Sequence, residues 1–382
     1  MTKSWADARN ILCIRLDNMG DLLMSSPAIR ALKETFNSRI TLLTSSMAAG
    51  IAGKINEIDE VISYDLPWIK ANQTINPEHF FEIFQKLKSY KFDAAVIFTV
   101  YSQNPLPTAM LAYLSEIPLR LAYCRENPYE LLTNWVPDKE PYSVIKHQVR
   151  RDLDLVASVG AYTPNEQITI STPDNFLESV KEKLIACGIN LNSPWLILHT
   201  GVSEEKRQYP FDLWVETAKK IIDKLGYQIL FTGASSEKIL ADDLQKATGE
   251  YSFSLAGILT LDEFIVLIRQ APLVISVNTG TIHLAAAVQT PVIVLYALTN
   301  PQHYPWKVVG KVLPFSVPQN LRSKNEVIKY VNERYFDGTT EMVEPDEIIA
   351  AAGEILGGKV TQIPELPAFI IREFELDQDI EP

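Results

Sequence analysis

The feature that most limits what this 382-residue chain can fold into is an alternation running along nearly its whole length, short apolar runs followed by stretches with helical spacing. Asn10–Leu16 (NILCIRL) reads as a buried strand. A helix follows from about Asp21 to Thr35, with Leu22, Leu23, Ile29 and Leu32 on one stripe. Ile40–Leu43, Glu60–Tyr64 and Ala94–Thr99 read as further strands. Pro77–Lys88 reads as an amphipathic helix with proline in its first turn, where a missing N–H costs nothing. Strands that alternate with helices imply a parallel sheet covered on both faces.

The pattern becomes irregular between Asn104 and Tyr142, a stretch punctuated by Pro105, Pro107, Pro118, Pro128, Pro137 and Pro141. Helical spacing returns over Lys146–Val159, and Ile168–Pro173 reads as the crossing to a second domain. The alternation then restarts. Asn175–Cys187, Phe211–Leu225, Ile282–Val288 and Glu344–Leu356 read as helices. Trp195–His199, Gln228–Thr232, Leu273–Val277 and Pro291–Leu295 read as strands. A chain this long exceeds one ordinary core. The expected organisation is one α/β domain over 1–173, a second over 174–360, and an acidic, poorly ordered tail over 361–382. Ligands of such sheets bind outside the carboxyl ends of the strands, so the cleft between the halves is the expected site.

Composition narrows the function classes. A formal net charge of −12 argues against a nucleic-acid footprint but leaves room for a pocket with a few local cations. No apolar run approaches the roughly 20 residues of a membrane span, and the N-terminus lacks the pattern of a signal peptide. Cys13, Cys124 and Cys187 lie far apart and read as buried reduced thiols, from which a cytoplasmic location is expected. No G-x-G-x-x-G follows a strand, and no Walker A, H-E-x-x-H or paired C-x-x-C occurs. No D-x-D stands at a strand end to hold a metal–diphosphate pair, so no metal and no cofactor is expected.

Three segments can carry chemistry. In Arg15–Asp21 a strand ends and a helix begins, so free N–H groups and the positive helix end converge. Gly20 permits the turn and Asp21 falls in the first helical turn; the plainer reading is that Asp21 only caps its helix. In His199–Pro210, Lys206 and Arg207 can neutralise a diphosphate, or can belong to a solvated loop paired with Glu204 and Glu205. In Asn278–Ala287 a strand, a Thr279-Gly280 turn and a helix again form an anion site, with His283 close enough to reach the same anion.

Together and in this order, the three segments resemble glycosyltransferase family 9, the heptosyltransferase family of the lipopolysaccharide inner core, over about Asn10 to Trp306. Met19-Gly20-Asp21 with Pro27–Lys33 resembles the family's opening motif, Lys206–Pro210 its K-R-W-P signature, and Thr279–Ala287 with Thr290-Pro291 its D-T-G-x-x-H-L-A-A-A signature. The resemblance implies a GT-B fold of two Rossmann-like domains facing a central cleft, acceptor on the first and nucleotide-sugar on the second. It implies an inverting, metal-independent displacement with Asp21 as general base. Lys206 or Arg207 and Ser203, Thr279, Gly280 and His283 would bind the donor's diphosphate, Asn278 would stand beside them, and Glu237 would hold its ribose. Asn18, Gly20, Arg125, His147 and Arg151 would serve the acceptor. His147 and Arg151, four apart on one helix face, would grip a phosphorylated sugar; alternatively they form an exposed basic edge.

The expected substrates are a nucleotide-sugar, ADP-heptose or a relative, and a lipid-linked or phosphorylated saccharide, with peripheral attachment at the inner face of the cytoplasmic membrane. One departure stands out. Asn278 replaces the family's aspartate, an amide that also donates in place of a carboxylate that only accepts. Tyr209 stands in the tryptophan position. A non-catalytic nucleotide-sugar-binding protein and, less favoured, a sugar-nucleotide epimerase are the competing readings.

Overall fold

The computed structural model of the chain describes residues 4–69, 77–172, 174–335 and 341–366. The chain divides after Ser171 into two compact units. The first carries β1 (Asn10–Arg15), α1 (Met19–Phe36), β2 (Arg39–Thr44), α2 (Ser46–Ala52), β3 (Glu60–Ser63), α3 (Pro77–Ser89) and β4 (Ala94–Ile97), then α4 (Leu106–Leu114), β5 (Leu119–Cys124), β6 (Asn134–Pro137) and α5 (Gln148–Ala157). Its sheet has the order β3-β2-β1-β4-β5-β6, with every pairing parallel.

The second unit carries α6 (Leu177–Ala186), β7 (Trp195–His199), α7 (Phe211–Lys220), β8 (Gln228–Thr232), α8 (Lys238–Thr248), β9 (Ser252–Ser254), α9 (Leu261–Gln270) and β10 (Val274–Val277). It continues through α10 (Gly280–Ala287), β11 (Val292–Ala297), β12 (Gly310–Phe315), α11 (Glu326–Tyr335) and α12 (Pro345–Leu356). Its sheet, β12-β11-β10-β7-β8-β9, is again parallel throughout. Numbered from its own first strand, each sheet has the order 3-2-1-4-5-6 of a doubly wound dinucleotide-binding fold. The order in which strands are added therefore reverses between β1 and β4 in one sheet and between β7 and β10 in the other. Each reversal opens a crevice at the carboxyl ends of its strands.

The central strands are buried on both faces, which is why they read as unbroken apolar runs rather than alternating ones. Helix α1 passes through Pro27, whose missing amide leaves the Leu23 carbonyl without its helical donor; the Ser26 hydroxyl donates to that carbonyl at 2.8 Å. Arg30 then fastens α1 to Glu57, ahead of β3, at 2.6 Å and to the chain beyond α5 through the carbonyls of Asn165 and Gln167 at 2.8 Å each.

Two expectations are corrected here. The proline-punctuated stretch 104–142 is regular: Pro105 caps α4, Pro107 lies in its first turn, and Pro137 ends the edge strand β6. The tail is not disordered from its first residue. Gly310 donates to the Thr361 carbonyl at 3.3 Å, Ile363 donates to Val308 at 2.8 Å, and Ile363 is buried. Residues 367–382 lie outside the described residues.

Candidate functional site

The crevice of the first sheet is built around one guanidinium. Arg15, the last residue of β1, is fully buried. Its Nε lies 3.1 Å from Asp17 Oδ2 and its Nη2 donates to Asp21 Oδ1 at 3.3 Å. Asp152 of α5 is a third carboxylate acting on it. Burial alone would weaken the charge of Arg15, but these three carboxylates hold its proton more firmly than usual. Asp21 Oδ2 accepts the Asn18 amide at 3.2 Å, so the carboxylate caps α1 and is also oriented by Arg15. The helix-cap reading of Asp21 is thus correct as geometry, and it leaves the carboxylate 8% exposed at the end of the central strand. Gly20 is buried in the turn and Asn18 is exposed.

Asp17 faces a cavity of about 320 Å³ at the β1/β4 reversal, lined among others by Trp68, Thr99, Ser102, Gln103 and Asn104. Gln103 Nε2 donates to Asp17 Oδ1 at 2.5 Å. Burial raises the Asp17 carboxyl above its ordinary range against the pull of Arg15, and Asp21 adds to the rise. Behind the site, Asp152 accepts from Ser25 Oγ at 2.7 Å and Gln148 Nε2 at 2.8 Å. Burial pushes its carboxyl up to about 6.

The residues expected to grip an acceptor phosphate are otherwise engaged. Arg151 is buried; it donates to Asp138 Oδ1 at 2.8 Å, to Glu140 Oε2 at 2.5 Å and to the Thr99 carbonyl at 3.1 Å, and it stacks 4.2 Å from the Tyr123 ring centroid. His147 is buried too, and its Nδ1 accepts the Val149 amide as the cap of α5. Burial of both side chains rules out the exposed basic edge, and Arg151 commits its guanidinium to Asp138, Glu140 and Thr99. A helix face four residues wide tells nothing of what packs on it, and here the face turns onto Asp138 and Glu140. Arg125 is exposed and donates to the carbonyls of Tyr101 and Glu140. It lines a second cavity, of about 330 Å³, together with Glu126 and Asp138.

The crevice of the second sheet brings two cations and a helix end together. Helix α10 begins at Gly280, and its cap residue Thr279 makes no side-chain capping bond; the Thr279 hydroxyl is buried without a hydrogen-bond partner. Arg207 Nη1 donates to the Asn278 carbonyl at 3.2 Å, which brings its charge to that helix end. Glu204 pairs with both Lys206, at 3.3 Å, and Arg207, at 3.2 Å. The pairing expected of a solvated loop is present, yet each cation is less than a third exposed. Ser203 is exposed on the same loop, and His283 is buried in the first turn of α10.

Glu237 stands against two glycines. It accepts the Ala234 amide at 2.7 Å, and a Cβ added to Gly201 would lie 2.0 Å from its carboxyl carbon. Only glycine at 201 lets that carboxylate lie across the end of β7. His199, at the same strand end, bonds Thr232 Oγ1 at 3.0 Å, and burial lowers its pKa to about 4.

Asn278 uses both functions of its amide. Its Oδ1 accepts the Ala297 amide at 3.2 Å, while its Nδ2 lies 3.4 Å from the Ala297 carbonyl and 3.3 Å from Thr299 Oγ1. A carboxylate would face the Ala297 carbonyl with no proton to share. Tyr209, in the tryptophan position, is buried, edge-on to Trp214 and donating to the Val343 carbonyl at 2.7 Å. All three cysteines are free; Cys13 and Cys124 are buried as expected, whereas Cys187 is half-buried.

Sequence reading passed over Arg15, Asp17 and Gln103 as site residues. One signal was available, since a charged residue inside an otherwise apolar central strand demands a buried partner.

This pair of doubly wound units, one crevice built on carboxylates around Arg15 and the other on two cations and a helix end, has the architecture of a two-domain transferase of the GT-B class. The family model for glycosyltransferase family 9 (heptosyltransferase) matches residues 80–329, more than half of the chain, and the chain belongs to that family. It is a glycosyltransferase. It is 24% identical to lipopolysaccharide heptosyltransferase 3 of Escherichia coli over 90% of this chain and 98% of that one. Among solved structures, a family 9 glycosyltransferase from Veillonella parvula aligns with a TM-score of 0.74 at 15% identity, over 94% of this chain and 100% of that one. The E. coli ADP-heptose lipopolysaccharide heptosyltransferase II aligns at 0.68 and 17% identity, over 92% and 99%. Among the described residues no helix is long and apolar enough to cross a membrane.

Proposed function

We propose that this glycosyltransferase moves heptose, or a closely related sugar, from an ADP-linked donor to a saccharide of the lipopolysaccharide core, with inversion and without a metal. The reading is supported by the names of its relatives and by one observation above others. The cap of α10 is left without a side-chain bond where Arg207 reaches the Asn278 carbonyl, so a helix end and a cation are available to one anion.

In this reading Asp21 accepts the proton of the acceptor hydroxyl as that oxygen attacks the anomeric carbon of the donor. The bond from that carbon to the diphosphate oxygen breaks, and the charge passes to the nucleoside diphosphate. Lys206, Arg207 and the Thr279–Thr281 turn stabilise it there, and His283 stands in the same turn. Glu237 meets the ribose hydroxyls. The protein works at the inner face of the cytoplasmic membrane, held peripherally. Arg151 and His147 have no part in holding the acceptor.

The test is a panel of nucleotide-sugars, each measured for binding by calorimetry and for turnover with lipopolysaccharide-core acceptors. ADP-heptose is expected to bind and turn over best, and Arg207→Ala to weaken binding of ADP about tenfold. Equal or better use of a uridine- or guanosine-linked sugar would reject the donor assignment.

A further inference from the structure

Three basic side chains were expected to hold an acceptor phosphate: Arg151 is buried on Asp138 and Glu140, His147 is buried as the cap of α5, and Arg125, exposed at the second cavity, donates to two carbonyls. The cavity at the β1/β4 reversal has a different chemistry. Its described lining holds one ionisable group, Asp17, among the amides of Gln103 and Asn104, the hydroxyls of Ser102 and Thr99, and the Trp68 ring. The lining is fixed. Arg15 and Gln103 hold Asp17, the Val100 amide holds Gln103 Oε1 at 3.0 Å, and Trp68 is anchored by its Nε1 on Thr108 Oγ1 at 3.0 Å and by the Phe80 ring.

A volume of about 320 Å³ lies at the small end of the range for organic ligands. An ionised carboxylate only accepts hydrogen bonds, so it pairs with hydroxyl donors and repels phosphate or carboxylate substituents. A half-buried indole beside amides and hydroxyls offers an apolar face and a polar rim, which match a pyranose ring. The same guanidinium that holds Asp17 also holds Asp21, so a ring seated here lies beside the base.

We infer that this cavity seats an uncharged sugar ring of the acceptor, and that Asp17 is its specificity-determining residue, selecting hydroxyl groups and rejecting anionic ones. The inference rests on the glycosyl-transfer reading above for the identity of its ligand as an acceptor. Gln103 keeps Asp17 oriented and offers its amide to the same ring.

The test uses the full-length chain with methyl glucoside and methyl glucoside 6-phosphate, titrated by saturation-transfer NMR, and ADP binding followed separately by calorimetry. The neutral glycoside is expected to bind about tenfold more tightly than its phosphate, and Asp17→Asn to bring the two within about threefold of each other. Gln103→Leu, which removes one donor from Asp17 but keeps its pairing with Arg15, is expected to weaken the neutral glycoside about fivefold. Tighter binding of the phosphate, binding of neither glycoside, or a ratio that Asp17→Asn leaves unmoved would overturn the inference. Should Asp17→Asn fail to fold, an unchanged glycoside affinity in Gln103→Leu overturns it and the fivefold loss supports it. Loss of ADP binding in the wild-type chain would instead count against the donor reading, whatever the glycosides do.

Discussion

The two sheets share one strand order and place their candidate site residues at the same topological position, yet the two crevices are built from different groups. At the β1/β4 reversal, Asp17, Asp21 and Asp152 surround a single buried arginine. At the β7/β10 reversal, Arg207 reaches a helix end with no side-chain cap, and Glu204 pairs with both Arg207 and Lys206. The fold fixes where a ligand binds, and a handful of side chains at the strand ends fix the sign of what it carries. A carboxylate cluster suits a proton acceptor and hydroxyl groups, and a cation beside a free helix end suits an anion.

The sharpest way to break the comparison is to remove the cation on which the acidic crevice depends. Arg15→Met keeps the volume and leaves three carboxylates buried together. Unfolding in urea should show a loss of about 3–5 kcal/mol, the usual result of stripping a buried charge of its partner. A loss below about 1 kcal/mol would mean that the carboxylates are not held by Arg15.

A smaller effect sharpens the same contrast through pH. The Asp152 carboxyl is raised from 3.8 to about 6 in the folded chain, so its contribution to stability is fully present below pH 4 and is lost as pH rises through 6. The shift corresponds to something on the order of 3 kcal/mol. His199 in the other crevice is lowered from 6.5 to about 4, so its contribution is present above pH 6.5 and is lost as pH falls through 4. Unfolding free energies measured at pH 4 and pH 7.5 should show Asp152→Asn gaining relative to the wild type at pH 7.5 only. His199→Gln should gain at pH 4 only.

Much of this was legible in the sequence, and unevenly so. The doubly buried strands could be read because their apolar runs are unbroken, and Asp21 and Thr279-Gly280 because a strand running directly into a helix exposes the same backbone groups wherever it occurs. The strands β5 and β6 were hidden by prolines that mark the ends of elements rather than their absence. The capping box Thr260/Glu263 announces α9, which was nevertheless passed over. Arg151 and His147 were misread because spacing reports which residues share a helix face and never what packs on it. Asp17 and Gln103 are 86 positions apart and meet only through the β1/β4 pairing, which no local pattern encodes. Asn278 is explained by Ala297 and Thr299, partners that only the β10/β11 register brings near.

In the proposed reaction the proton acceptor belongs to the carboxylates of the first sheet, and the nucleotide to the cations and helix end of the second. Asp21→Asn tests this division most directly, because the amide oxygen can still accept the Asn18 N–H while the side chain can no longer take a proton. Transfer rate and calorimetric affinity for the donor nucleotide should be measured on the same preparation. The account predicts a fall in transfer of about 10²–10⁴-fold with nucleotide affinity unchanged. A retained transfer rate, or a loss of nucleotide affinity in step with the rate, would contradict it.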